Sequence, residues 1–197
     1  MIYSKWLDSK LKEALPCGKE IALTEINPIL YPFQRQLVQW AIRKGRCALF
    51  ADCGLGKTYM QLEWARLMRG RCLILAPLAV AQQTITEGKN LGIPVQYVRN
   101  QSQVTGDIVI ANYEMVEHFD PALFQSVVLD ESSILKNFEG KTRTRLIEMF
   151  QGVPYRLCCT ATPAPNDITE IANHAEFLGI VTRQEMLATY FVHDDEG

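Results

Sequence analysis

The strongest constraint on this chain is a glycine-rich stretch that lies between a short apolar run and a helical pattern. Residues 51–58 read A-D-C-G-L-G-K-T, which matches the pattern A-x-x-G-x-G-K-T. The run at 46–50 is typical of a buried strand, and Met60, Trp64 and Met68 recur at helical spacing after the glycines. A strand, a glycine loop and a helix in this order predict a loop that binds the phosphates of a nucleotide.

Each residue type in this loop suits the binding of phosphate or Mg²⁺. Glycines allow backbone N–H groups to turn inward around an anion, Lys57 would reach the β- and γ-phosphates, and Thr58 would bind Mg²⁺. The strict pattern begins with glycine, whereas this chain has Ala51 there. The alternative interpretation is a glycine turn beside a solvated lysine. The predicted nucleotide-binding residues of the loop are Asp52, Cys53, Gly54, Leu55, Gly56, Lys57 and Thr58.

Two adjacent carboxylates, Asp130 and Glu131, follow the apolar run at 127–129. Paired acids at a strand end repel each other unless a cation or a proton relieves them. Asp130 would hold Mg²⁺, usually through water, and Glu131 would orient and deprotonate the attacking water. Asp130 and Glu131 would form the Walker B arrangement, and together with Lys57 they are the predicted catalytic set. The alternative is an acid pair that caps a helix at a surface turn.

Composition bounds the class of protein. The 197 residues are 48% apolar and 21% charged, which is ordinary for one soluble globular domain. The net charge is −2, so there is no overall basic field, and any contact with nucleic acid would depend on local patches or backbone amides. This balance argues against a protein that simply coats DNA.

Cysteine and histidine spacing indicates neither disulfides nor a metal centre. The six cysteines have no C-x-x-C spacing and lie mostly in apolar runs, which suits a reducing cytoplasm. His118, His174 and His193 are scattered, and no chemistry is assigned to them. No apolar run approaches the roughly 20 residues of a membrane span, and the N-terminus has no signal-peptide pattern. We therefore expect a cytoplasmic protein without membrane contact.

Two helical patterns precede the glycine loop. Residues 3–15 carry Trp6, Leu7 and Leu11 on one face and predict a docking helix that ends at the Pro16-Cys17-Gly18 stretch. A second helix is predicted from Pro32 to Gly45. Its predicted apolar stripe comprises Phe33, Leu37, Trp40 and Ala41.

Strand and helix patterns alternate through the rest of the chain. Buried-strand patterns lie at 71–76, 95–98, 107–111, 127–129 and 155–159, and helical patterns lie at 80–91, 140–150 and 167–178. Asp167 and Glu170 are placed to form a capping box for the last of these helices. The alternation predicts an α/β three-layer sandwich with a mostly parallel central sheet and ligands at the carboxyl ends of its strands.

Six stretches of the sequence resemble, in order, the motifs of superfamily 2 helicases and ATPases. The resemblance is to the Swi/Snf-type branch, whose loop ends G-L-G-K-T and whose acidic box continues into L-K-N, and small phage and prophage DEAD-like helicases are similar. It covers residues 31–178 and implies the RecA-like fold of a P-loop NTPase. The stretches are Tyr31–Gln34, Asp52–Thr58, Leu75–Leu78, Asn112–Glu114, Asp130–Asn137 and Thr160–Asn166.

This resemblance implies roles for matching residues. Gln34 would recognise the adenine edge and give preference for ATP, so that the implied cofactors are ATP and Mg²⁺. Thr160 and Thr162 would couple the nucleotide state to the nucleic-acid groove. The implied nucleic-acid contacts, to duplex DNA without sequence preference, are Pro77, Leu78, Ala79, Asn112, Tyr113 and Lys136.

Basic residues lie close together between the acidic box and the following helix. Lys136, Lys141, Arg143 and Arg145 form the one basic cluster near the implied groove. This cluster would be either a binding patch or a solvated charged surface.

The sequence departs from the family pattern in two places. Ser132 and Ser133 stand where relatives carry small residues and usually a histidine, which would alter the contact that couples hydrolysis to motion. The chain also ends near the expected end of the first motor lobe, and Arg183 is the only arginine after Thr160. We expect a lead-in at 1–30, the first RecA-like lobe at 31–182 and an extension at 183–197. A second lobe or a partner chain would supply the catalytic arginines.

The leading interpretation is the ATP-dependent motor lobe of a DNA helicase or double-strand DNA translocase in a bacterial cell or a phage-infected host. One alternative is a P-loop kinase or small-molecule NTPase, for which no arginine-rich lid is visible in the sequence. Another is a nucleotide-binding module without turnover of its own. The sequence leaves open whether the track is DNA or RNA, single or double, and in which direction movement would occur.

Overall fold

The computed structural model describes residues 14–136 and 140–191. Within these ranges a six-stranded sheet has the order β1-β6-β5-β2-β4-β3, and every neighbouring pair is parallel. The strands are β1 (Arg46–Phe50), β2 (Cys72–Ala76), β3 (Gln96–Tyr97), β4 (Ile108–Asn112), β5 (Ser126–Asp130) and β6 (Tyr155–Thr160). The α-helices are α1 (Pro32–Lys44), α2 (Lys57–Met68), α3 (Leu78–Leu91), α4 (Lys141–Phe150), α5 (Ile171–Phe177) and α6 (Arg183–Tyr190).

The sheet separates two apolar cores, because successive side chains of a strand point to opposite faces. On β2, Ile74 contributes to one core, and Leu73 and Leu75 contribute to the other. Helices α1, α2 and α3 cover the first face, and α4 and α5 cover the second. Strands β2, β4 and β5 are buried at every position, as expected for strands covered on both sides. The predicted α/β sandwich is therefore confirmed.

Helix α1 begins and ends where predicted, but its buried face is different. Phe33, Leu37 and Trp40 each expose more than a third of their surface, while Val38 and Ala41 are fully buried. The helix carries two apolar stripes, both compatible with helical spacing, and it lies beside β1 at the edge of the sheet. The stripe that packs on α2 and β1 is buried. Of the predicted stripe, only Ala41 lies on that side.

The region after β6 differs in detail from the predicted single helix. A short 3₁₀ turn at Ile168–Glu170 precedes α5. The Asp167 carboxylate accepts a hydrogen bond from the backbone N–H of Thr169 at 2.7 Å. The carboxylate of Glu170 accepts from the side-chain amide of Asn166 at 2.9 Å, so the predicted capping box is wrong.

Helix α6 was not predicted. It begins after Thr182, whose backbone N–H donates to the Glu185 carboxylate at 3.0 Å, while its hydroxyl accepts from the Glu185 N–H at 3.2 Å. This reciprocal capping box follows the T-x-x-E pattern at 182–185, which is the signal that could have found the helix.

The two ends of the chain are not described by the structure. The predicted docking helix at 3–15 and the tail after residue 191 lie almost wholly outside the described residues. All six cysteines carry free thiols, and four of them are buried in the sheet region. Among the described helices, none has both the length and the apolar character needed to cross a membrane.

Candidate nucleotide-binding site

The predicted site residues meet at the carboxyl edge of β1, β6 and β5. Phe50 at the end of β1 lies in register with Thr160 of β6, and Asp130 at the end of β5 lies in register with Cys159. Beyond these ends run two segments, which we name the phosphate loop (residues 51–58) and the acidic turn (residues 130–136). Parallel strands thus bring together two segments that are some 70 residues apart in sequence, on either side of β6.

The phosphate loop has the backbone geometry that its glycines predict. Gly54 and Gly56 have φ angles of +79° and +76°, a left-handed region that costs other residues free energy. Gly56 is the residue before α2, and a Cβ atom there would lie 2.3 Å from the side-chain nitrogen of Gln34. Glycine is therefore required at Gly56 by backbone conformation and by space.

The lysine of the loop is held by the loop itself. Lys57 Nζ donates to the backbone carbonyls of Ala51 at 3.0 Å and Asp52 at 3.3 Å. The Asp52 carboxylate in turn accepts from the N–H of Cys53 at 2.7 Å. Residues 52–55 are exposed to solvent. The loop presents its backbone and its ammonium group at an open surface, where an anion would have access to both.

Gln34 lies behind the phosphate loop. The side chain is 4% exposed, and its Nε2 donates to the carbonyl of Leu55 at 3.0 Å. Its Oε1 accepts from the N–H of Tyr31 at 2.9 Å, which caps the start of α1. Gln34 therefore connects α1 to the loop that follows β1. Recognition of adenine by this amide stays a prediction.

The acidic turn begins with a buried carboxylate. Asp130 is 3% exposed, and its Oδ1 accepts from the N–H of Glu131 at 3.1 Å. Burial raises the pKa of Asp130, and this effect outweighs the Gln61 amide, which lowers it. The charge of Glu131 raises the pKa and the charge of Lys57 lowers it. The strand registers place the two halves of the site on either side of β6, and the charge of Lys57 reaches Asp130.

Glu131 has a backbone conformation that is unusual for its residue type. Its φ angle is +53°, in the left-handed region that non-glycine residues rarely adopt. Thr160 Oγ1 donates to its carboxylate at 3.4 Å, and the same hydroxyl accepts from the N–H of Thr162 at 3.1 Å. The two predicted coupling residues are thus linked to the predicted general base through one hydroxyl group.

Helix α5 supports the acidic turn. This contact was not predicted from the sequence. Ser132 Oγ and His174 Nε2 are 3.1 Å apart and both residues are buried, while Asn173 Nδ2 donates to the carbonyl of Leu135 at 2.8 Å. Burial lowers the pKa of His174, and its ring stands edge-on to Phe50 at 5.2 Å. A polar Asn-His pair within an otherwise apolar helical pattern was the available signal.

Gln61 of α2 was also missed. It is fully buried among apolar residues of the helix, and it lies close enough to Asp130 for its amide to lower the pKa of that carboxyl. Three buried atoms have no hydrogen bond of ordinary geometry within the described residues. They are Oε1 and Nε2 of Gln61 and Oδ2 of Asp130. The Gln61 amide therefore acts on the Asp130 carboxyl, although their atoms do not meet the geometry of an ordinary hydrogen bond.

The predicted nucleic-acid contacts divide into exposed and buried groups. Leu78 and Ala79 at the start of α3 and Lys136 in the acidic turn are exposed, and Pro77 is partly exposed. Asn112 and Tyr113 are each only 6% exposed, and both side chains are engaged inside the protein. Asn112 Nδ2 donates to the hydroxyl of Tyr97 at 3.2 Å, and the Tyr113 hydroxyl donates to the Asp130 carbonyl at 2.7 Å.

The basic cluster near the groove is partly neutralised. Arg143 is 8% exposed and forms an ion pair with Glu176, and Arg145 forms an ion pair with Glu117. Lys136 and Lys141 remain exposed. The tertiary structure turns Arg143 inward and pairs both arginines with acids, and nucleic-acid binding by the cluster stays a prediction.

Three solved structures have a similar fold. The Sulfolobus solfataricus SWI2/SNF2 ATPase core in complex with dsDNA is similar with a TM-score of 0.71 and 19% identity, over 86% of this chain and 40% of that one. The UvsW helicase of bacteriophage T4 has a TM-score of 0.61 and 14% identity, over 91% and 66%. The Pyrococcus furiosus Hef helicase domain has a TM-score of 0.60 and 17% identity, over 75% and 36%.

Sequence comparison gives the family. The chain is 26% identical over 178 residues to the SWI/SNF-related matrix-associated actin-dependent regulator of chromatin subfamily A-like protein 1 of Xenopus tropicalis, covering 82% of this chain. It is 29% identical over 150 residues to the Drosophila melanogaster protein of that name, covering 68%. The chain spans about a fifth of the length of these curated relatives. The SNF2-related domain matches residues 33–190, and the chain therefore belongs to the SNF2-related domain family.

Proposed function

We propose that this chain is the ATP-binding motor lobe of a DNA helicase or double-strand DNA translocase, which couples ATP hydrolysis to the remodelling of nucleic acid. The observation that carries the proposal is the meeting of the phosphate loop and the acidic turn on either side of β6. Membership of a helicase-like ATPase family supports the same reaction class.

The residues at this edge fit Mg²⁺ and a nucleotide. Thr58 offers a hydroxyl oxygen and Asp130 a carboxylate whose Oδ2 has no partner within the described residues, and oxygen is the ligand that Mg²⁺ prefers. Lys57, now held by two loop carbonyls, would exchange them for phosphate oxygens. When bound, Mg·ATP supplies the phosphoryl group that is transferred to water.

The chemistry of the chain itself centres on Glu131. Glu131 follows the end of β5 and turns the chain there with a positive φ angle. The hydroxyl of Thr160 donates a hydrogen bond to its carboxylate. There it would orient a water molecule and accept its proton. Thr160 also accepts from the N–H of Thr162, so a change at the carboxylate would reach the segment after β6. This link is our candidate for coupling between nucleotide state and nucleic acid.

Duplex DNA is the proposed track. The Sulfolobus solfataricus SWI2/SNF2 ATPase core is in complex with dsDNA in its solved structure, and this chain shares the fold of that protein. Leu78 and Ala79 lie exposed at the start of α3, where backbone N–H groups are available to phosphate, and Lys136 adds a positive charge. Such contacts position a strand without recognising its sequence.

The active motor also needs residues beyond this lobe. Arginines that stabilise the transferring phosphoryl group contribute roughly 10³ to 10⁵ in rate in related nucleotide hydrolases. Since the chain spans about a fifth of its curated relatives, we assign these arginines to a second lobe or a partner chain. Residues 1–197 alone are then expected to bind Mg·ATP weakly and to hydrolyse it slowly.

The first test is nucleotide binding to the purified chain, measured with a fluorescent ATP analogue in the presence of Mg²⁺. Lys57→Ala should raise Kd by about 10- to 100-fold, because a charge-assisted contact contributes about 1.5 to 3 kcal/mol. Lys89→Ala removes a lysine that is exposed on α3, away from the site, and should leave Kd unchanged. Equal affinities for wild type and Lys57→Ala would refute the proposed site.

A further inference from the structure

Gln61 is a polar residue buried in an apolar part of α2. It lies three residues after Thr58 on α2, so the two side chains share a face of the helix. Its helical neighbours Met60, Leu62 and Trp64 are fully buried, and the helix packs on β5 and β6. Burial of a primary amide without hydrogen bonds lowers stability. An apolar residue of the same length would avoid this cost.

The group that Gln61 faces is Asp130. One oxygen of this carboxylate, Oδ1, accepts from the N–H of Glu131, and the other, Oδ2, is buried without a partner among the described residues. Both polar atoms of the Gln61 amide are also buried without a hydrogen-bond partner among the described residues. These buried polar atoms belong to one residue that we assign to Mg²⁺ and to a neighbour that is close enough to lower the pKa of its carboxyl. Buried polar atoms in this state call for a ligand or a functional role.

We propose that Gln61 is a positioning residue that orients the free oxygen of Asp130 toward Mg²⁺ and its water shell. This inference rests on the proposed function. The amide has a donor that suits the carboxylate and an acceptor that suits a metal-bound water, and only glutamine combines both at this length. Groups that hold a metal-binding carboxylate commonly change metal affinity by 10- to 100-fold when they are replaced.

The experiment separates metal binding from nucleotide binding. Binding of a fluorescent ATP analogue to residues 1–197 is measured in excess EDTA and across a Mg²⁺ titration. For Gln61→Met, which keeps the length and removes both polar atoms, we expect the Mg²⁺ concentration at half effect to rise by about 10- to 100-fold. Affinity in EDTA should stay within about twofold of wild type, because the phosphate loop is untouched.

Thr84→Val is the matched control. Thr84 is a fully buried polar residue of α3 whose hydroxyl donates to the carbonyl of Val80 at 3.1 Å, away from the acidic turn. It should alter stability without altering the Mg²⁺ dependence. Circular dichroism and thermal unfolding of every variant establish that it is folded. Gln61→Leu provides a second apolar variant, which also removes both polar atoms, so that the Mg²⁺ titration should shift in the same direction.

The outcomes distinguish this inference from the proposed function. If wild type binds the ATP analogue neither in EDTA nor with Mg²⁺, the proposed function itself fails. If wild type responds to Mg²⁺ and a folded Gln61→Met or Gln61→Leu responds within about twofold of it, the positioning role is overturned while the proposed function stands. A shift in the two Gln61 variants and none in Thr84→Val supports the role.

Discussion

The phosphate loop and the acidic turn contribute to one site, but they are built in different ways. The loop is exposed and is held by hydrogen bonds from Lys57 to its own carbonyls and by one hydrogen bond from Gln34 of α1 to Leu55. The acidic turn is partly buried and interacts with residues from other parts of the chain: Gln61 on α2, Thr160 at the end of β6, and His174 on α5. The loop is a local structure, whereas the turn is a product of tertiary packing.

This difference follows from the chemistry of each half. Phosphate is bound by backbone N–H groups, which require glycine conformations and contiguous sequence. A carboxylate that holds a metal works best with little water around it, and a buried carboxylate then needs neighbouring donors. Those donors have to come from elements that pack over the strand end. Substitutions in the two halves should therefore have different effects on stability and activity.

The largest effect is expected at the general base. In a longer chain that carries the second lobe, Glu131→Gln should lower the rate of phosphate release by about 10²- to 10⁴-fold, because proton transfer to a carboxylate is lost. The Kd for Mg·ATP should change little, since Gln keeps the size of the side chain. Glu114→Gln, at an exposed position after β4, is the control. Undiminished phosphate release would remove Glu131 from the mechanism.

An intermediate effect is expected in the phosphate loop. Gly56→Ala combines a positive φ with a Cβ atom placed 2.3 Å from Gln34, and it should lower the free energy of unfolding by about 2 to 3 kcal/mol. Gly54→Ala has the same kind of φ but open space, and should cost only about 1 to 2 kcal/mol.

The measurement for these glycine variants is urea unfolding, with Gly152→Ala as a control of ordinary φ and open space. Gly56→Ala should also weaken nucleotide binding, because Gln34 must leave Leu55. If the Gly54 and Gly56 variants are equally stable, the contact between Gln34 and the loop contributes nothing to stability, and the phosphate loop depends on its own hydrogen bonds alone.

The smallest effect has the opposite sign and concerns Asp130. Burial raises its pKa in the folded chain, so the ionised carboxylate lowers stability once the pH exceeds that pKa. Asp130→Asn should therefore raise Tm at pH 7 by roughly 2 to 4 °C, equivalent to about 1 kcal/mol for a chain of this size. The gain should shrink as the pH falls toward the ordinary range of aspartate, where the wild-type carboxyl is protonated.

Differential scanning fluorimetry from pH 5 to pH 8 measures this gain, with the exposed Asp107→Asn as the control. Mg²⁺ with the nucleotide should stabilise wild type more than Asp130→Asn and so reduce the difference. A lower Tm for Asp130→Asn at pH 7 would mean that neighbouring groups fully satisfy the acidic turn, so that it would be as self-sufficient as the phosphate loop.

Much of this protein was determined by the sequence alone. Alternation of apolar runs with helical patterns was sufficient for the α/β sandwich, because strands such as β2 are buried on both faces and tolerate only apolar residues. The glycines of the phosphate loop and the pair Asp130-Glu131 are signals of the same local kind. Their nearness followed from one rule, that parallel strands end at the same edge of a sheet.

Other features were decided only by the tertiary structure. Either apolar stripe of α1 satisfied the helical period, and the position of β1 at the sheet edge selected the stripe that contains Val38. Arg143 is charged, yet its pairing with Glu176 turns it inward. Gln61 and His174 have no spacing relation to the acidic turn, because packing across the sheet joins residues that sequence periodicity keeps apart. The sequence therefore determined which groups perform the chemistry, and the three-dimensional packing determined which groups hold them in place.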